Sequence, residues 1–161
     1  MNELYCPSKK RFQVEILALK KLCTTGGVAL EIPILEVSQE GDEYDNTNAF
    51  DFIDDEWFDE MYSKVELILR GSWYVGDGSF EHRVASVMVA INVGHMLQNG
   101  NKRSSILVLF VLCLLNGSAL LDCSKDAILD LAKNVAKAGN DKKEDSVSMV
   151  REFLKSNLKK V

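Results

Sequence analysis

Ten consecutive apolar residues, Ile106 to Leu115, constrain this chain more than any other feature. The run is about half of the ~20 residues that a membrane-spanning helix needs, so it predicts a helix buried on all sides within a protein. The fold class that follows is mainly α, a helical bundle with a central apolar helix.

The rest of the chain supplies the other helices of the bundle. Residues 10–23 space their apolar positions as an amphipathic helix does and are stopped by Thr24-Thr25-Gly26-Gly27. Residues 54–70 form a second candidate, with Trp57, Phe58, Met61, Tyr62, Val65, Leu67, Ile68 and Leu69 on its apolar side. Helical signals return over 82–97, and the central helix runs from about Arg103 to 116, with Gly117 as its stop. Asp122 to Ser124 caps a further helix over 125–138, ended by Gly139-Asn140, and a last one covers 145–159, finishing in Lys159-Lys160. Val28 to Val37, β-branched and interrupted by Pro33, reads as an edge strand or an extended arm. Gly71 to Ser79 places Trp73, Tyr74 and Val75 between glycines, a composition for a short extended β-flap or for a turn whose aromatics pack down. The chain divides into an N-terminal extension of undefined role, 1–53, and a helical domain, 54–161.

Bulk properties exclude several function classes. At 161 residues and 47% apolar, the chain can close one core without disulfides or a structural metal. The net charge of −5 argues against a general nucleic-acid binder, because neutralising phosphates takes a basic face. Cys6, Cys23, Cys113 and Cys123 show neither zinc-knuckle nor dithiol spacing and read as free thiols, Cys113 as a small buried hydrophobe. The opening Met-Asn-Glu-Leu-Tyr-Cys-Pro has none of the marks of a signal peptide, so the expectation is a cytoplasmic protein.

Between Glu40 and Glu60 there are ten acidic residues and no Lys or Arg. The EF-hand spacing is missing, which removes a calcium loop. A solvated loop followed by acids in the first turn of a helix, where the macrodipole favours them, accounts for the segment better than a docking surface for a basic partner.

Residues 95–105 carry the chemistry. One helix is expected to end at or just after His95, and the deeply apolar helix to begin near Arg103. Asn99-Gly100-Asn101 between them are short residues that accept left-handed backbone geometry. A turn of that kind, running into a helix N-terminus, aims backbone N–H groups at an anion. Lys102 and Arg103 add two cations at the helix end where cations oppose the macrodipole, an arrangement that makes sense if phosphate binds there. His95, a residue type whose unperturbed pKa permits a neutral imidazole at physiological pH, stands one short loop away as a candidate general base. His82 has no such setting and reads as an ordinary residue at a helix start.

The segment His95-Met96-Leu97-Gln98-Asn99-Gly100-Asn101-Lys102-Arg103 resembles the Fic/Doc family. The Fic pattern is H-x-F-x-[DE]-G-N-G-R-x-x-R. The Doc (death-on-curing) pattern is H-x-F-x-[ND]-[AG]-N-K-R, and the chain is more similar to it, with Lys102 in place of the second glycine and Ile106 in place of the second arginine. Leu97 stands where the family has Phe. The resemblance spans about residues 55–140 and includes the Leu-Asn-Gly at 115–117.

The resemblance implies a Fic/Doc-like bundle and an enzyme, either a protein kinase or a nucleotidyltransferase. It assigns catalysis to His95 and Arg103, and nucleotide and phosphate binding to Asn99, Gly100, Asn101, Lys102 and Arg103. Asn99 falls at the Mg²⁺ position, where an amide oxygen ligates without charge. ATP and Mg²⁺ are the implied cofactors. The Doc mark implies phosphate transfer from ATP to a Ser, Thr or Tyr hydroxyl by a toxin that acts on elongation factor Tu and is restrained by a small antitoxin. Fic-like AMP transfer, or a degenerate member kept as a binding module, are the alternatives. The flap before the motif helix implies target docking by Trp73, Tyr74 and Val75. The self-restraining [ST]-x-x-x-E-[GN] helix of Fic proteins is approached only by Ser148 to Glu152, where Phe153 follows, a chance match.

Overall fold

The structure, a computed structural model, describes residues 4–25, 53–71, 78–94, 100–120 and 123–160. Six α-helices carry the described fold: α1 (Lys9–Thr25), α2 (Asp55–Arg70), α3 (Phe80–Val93), α4 (Asn101–Leu115), α5 (Lys125–Ala138) and α6 (Lys143–Asn157). A 3-10 turn (Asn140–Lys142) leads into α6, and two short strands, β1 (Ser118–Ala119) and β2 (Lys159–Lys160), pair antiparallel.

The central helix is α4. Every residue from Ser104 to Cys113 is buried, whereas the last two residues of the apolar run are not, Leu114 being exposed and Leu115 half-buried at the helix end. The principal partner of α4 is α3, which also packs extensively on α6 and α2 and buries Val84, Ala85, Val87, Met88, Val89, Ile91 and Val93. The outer helices bury one stripe each. In α2 it is Trp57, Phe58, Met61, Val65 and Leu69, and in α6 Ser146, Val150 and Leu154 at every fourth residue. In α1 the stripe is Phe12, Ile16 and Leu19. The Phe12 ring stacks on Trp57 at 6.2 Å between centroids, and Phe58 meets Trp57 edge-on at 5.1 Å. The described part of the N-terminal segment thus shares the core of the domain that follows.

Local chemistry sets the helix ends. Asp54, Ser79 and Ser124 cap α2, α3 and α5 by accepting from Trp57, His82 and Ala127 backbone N–H groups. Asp55 and Glu56 occupy the first turn of α2 and Arg70 its last, each favoured by the helix dipole; that part of the acidic tract is helix-start chemistry. Gly117 and Gly139 take φ of 80° and 73° where α4 and α5 stop, a backbone region that glycine enters without strain. The side chain of Asn116 closes the end of α4 further. Its Oδ1 accepts from Tyr5 N at 2.7 Å and its Nδ2 donates to Tyr5 O at 3.1 Å, which pins the N-terminal segment across the helix end.

The structure departs from the sequence reading at two helix ends. The last helix stops at Asn157, because Leu158 turns extended (ψ 135°) while its N–H caps Leu154 O. Lys159 and Lys160 then pair with Ala119 and Ser118, a ladder that the lysines gave no sign of. Helix α3 ends at Val93, with Gly94 as its cap, short of the expected 97. The extended arm at 28–37, the acidic loop at 38–51 and the flap residues Trp73, Tyr74 and Val75 lie outside the described residues.

Candidate functional site

The site is built on the first turn of α4. Gly100 precedes it with φ 90° and ψ 9°, the left-handed geometry expected of the Asn-Gly-Asn turn. Its carbonyl accepts from Ser104 N at 2.8 Å and starts the helix, and having no side chain it caps none of the first-turn N–H groups. Asn101, Lys102 and Arg103 follow at once, with Lys102 exposed and Asn101 and Arg103 half-buried. Four predicted site residues, Gly100, Asn101, Lys102 and Arg103, therefore share one helical turn. His95 and Asn99 lie outside the described residues.

Among the described helices the electrostatics of this end differ from those of α2, α3, α5 and α6. Helices α2, α3, α5 and α6 carry an acid in the first turn; α4 carries none and has two cations instead. The first turn of α1 is basic as well, with Lys9 paired to Asp59 and Arg11 to Glu15 at 3.0 Å. A positive helix end reinforced by Lys102 and Arg103 is chemically suited to an anion.

Beneath the turn lies a polar layer that the sequence reading missed. Trp57 Nε1 donates to Ser104 Oγ at 2.9 Å, both buried. Ser105 Oγ donates to Lys102 O at 2.7 Å. Asn92, 2% exposed, reaches from α3 and donates through Nδ2 to Ser105 Oγ at 3.3 Å and to Ala132 O of α5 at 3.1 Å. Two helices, α2 and α3, thus bond to the serines that follow Lys102 and Arg103, and α5 is joined to them through Asn92. The signal available in the sequence was Asn92 inside an apolar helix and a Ser-Ser pair opening the most apolar one, since buried polar groups persist where they find partners.

His82 occupies the start of α3, as read, and its Nδ1 lies 3.5 Å from Arg151 Nη1 of α6. Glu152, within the chance brake match, is engaged on its own helix by Arg151 and Lys155, each at 3.7 Å. Cys113 is fully buried, and its burial raises the thiol pKa well above the ordinary value, with the charges of Glu81 and Cys123 adding to the effect. Among the described residues no helix is long and apolar enough to cross a membrane, and no three His, Cys, Asp or Glu gather to hold a metal ion. No family model, no curated protein and no solved structure matches this chain.

Proposed function

We propose that this protein transfers phosphate from ATP to a hydroxyl side chain of a target protein, as a Doc-like toxin kinase of the Fic/Doc family. The observation that carries the reading is the turn at 100–103: a left-handed glycine feeding a helix N-terminus that bears Lys102 and Arg103 and no acid. Phosphate is the ligand that such an end favours, through backbone N–H groups, the dipole and two cations together. The motif from His95 to Arg103 supplies the rest.

In the reaction, His95 takes the proton of the target hydroxyl, whose oxygen bonds to the γ-phosphorus as the bond to the β,γ-bridging oxygen breaks and ADP leaves. Arg103 neutralises the phosphoryl group in transfer and Lys102 holds a second phosphate, so catalysis is positioning plus charge stabilisation. Asn99 is the residue that would help hold Mg²⁺, which screens the phosphate charges when bound. The target is elongation factor Tu or another protein with a reactive Ser, Thr or Tyr. A small antitoxin is the corresponding partner, and the cytoplasm the compartment.

The test is mass spectrometry of elongation factor Tu after incubation with the protein, ATP and Mg²⁺, with His95→Ala as control. One added phosphate, lost in the control, is the expected result. An added AMP would transfer the protein to the AMP-transferring branch. An unmodified target together with no binding of ATP would leave a degenerate binding module.

A further inference from the structure

Asn92 stands among buried apolar neighbours on α3 and is itself 2% exposed. Its orientation is fixed chemically: Ala132 O can only accept, so the amide nitrogen must face it. Among the described residues the amide oxygen then has no hydrogen-bond partner inside the core. A buried acceptor without a donor disfavours folding, and an apolar side chain of similar size would fill the space without that cost. Stability alone does not account for an asparagine here.

What the amide does provide is a connection. Ser105 has one hydroxyl hydrogen, committed to Lys102 O, so its oxygen is the acceptor for Asn92 Nδ2. The backbone of α5 is joined in this way, through one side chain of α3, to the carbonyl of Lys102 in the first turn of α4. We infer that Asn92 is a positioning residue that fixes the rotation and height of the Lys102–Ser105 turn, so that its N–H groups and cations meet a phosphate chain in one arrangement. The inference rests on the phosphate-binding reading of that turn, and exchanges core stability for order at the site.

The test compares Asn92→Leu, Ser105→Ala and the double variant in thermal unfolding, amide hydrogen exchange and calorimetric titration with Mg-ATP. Asn92→Leu is expected to melt no lower than the wild type, to exchange its Ser104–Ile106 amides about tenfold faster with Val108–Leu112 unchanged, and to bind Mg-ATP about tenfold more weakly. The double variant is expected to bind no more weakly than Asn92→Leu, because the two groups act in series. Asn92→Val repeats the comparison with a smaller side chain, guarding against a leucine that overfills the site. A lower melting temperature in both Asn92 variants with uniformly faster exchange would make Asn92 an ordinary core residue, and unchanged exchange at 104–106 would overturn its hold on the turn. A wild type that does not bind Mg-ATP would remove the phosphate site, while the exchange pattern would still decide whether Asn92 orders the turn.

Discussion

The indole nitrogen of Trp57 donates to the hydroxyl of Ser104 at 2.9 Å, with both side chains fully buried. One bond therefore ties α2 to the opening turn of the central helix, next to Lys102 and Arg103. The same indole stacks on Phe12, so α1 bears on that turn at one remove.

Removing the serine oxygen leaves a buried N–H with no acceptor, and the penalty for an orphaned donor exceeds the net worth of the bond. Ser104→Ala is expected to lower unfolding free energy by about 1–3 kcal/mol, read as a fall in urea midpoint with an unchanged slope. In a Trp57→Phe background the same substitution should cost less than half as much, since the donor is already gone. Equal costs in the two backgrounds would show that the bond contributes nothing.

The sequence announced the architecture well where one residue type dominates. Ile106 to Leu115 reads as a buried helix, and is one as far as Cys113, while Phe12, Ile16, Trp57, Met61 and Val65 mark apolar stripes that the structure buries. Glycines at 117 and 139 stop helices for the conformational reason expected of them. Pairings that depend on distant backbone were not legible. Lys159 and Lys160 look like a frayed basic helix end, and only the β1 segment, some forty residues earlier, makes them a strand. Of the candidate site, the Gly100 turn and its cations could be read locally. Its support by Asn92 and Trp57 could not, because each belongs to another helix and shows its role only once the helices pack.

Cys113 gives the fold a pH dependence with a definite sign. Burial holds its thiol neutral in the native state, so the folded pKa lies above that of the unfolded chain. The native state binds the proton more tightly, and stability present below the unfolded thiol pKa of ~8.5 declines as pH rises beyond it. Between pH 7 and pH 9.5 the wild type should lose about 1.4 kcal/mol that Cys113→Ala does not lose, so the gap between the two narrows as pH rises. Urea titrations of both proteins at the two pH values check this. A gap independent of pH would mean that the thiol ionises equally in both states.

Lys102 separates binding from stability most cleanly, because it is exposed and lies in the first turn of α4 with no acid beside it in that turn. At this end the helix dipole disfavours a cation, so Lys102→Ala should raise the melting temperature by about 1–3 °C. The same substitution removes a charge from the proposed phosphate site and should weaken Mg-ATP binding by about tenfold, with a shallower salt dependence than the wild type. Arg103→Ala should weaken binding as well, but without a gain in stability, since Arg103 is half-buried and engaged within the fold. Thermal melts and calorimetric titrations at two salt concentrations measure both quantities on the same samples. A Lys102→Ala protein that melts higher and binds ATP as the wild type does would leave the cation without a phosphate to hold. One that melts lower would show that Lys102 stabilises the helix despite the dipole. The opposed movement of melting point and affinity is what distinguishes a helix end built for a ligand from one that is merely poorly capped.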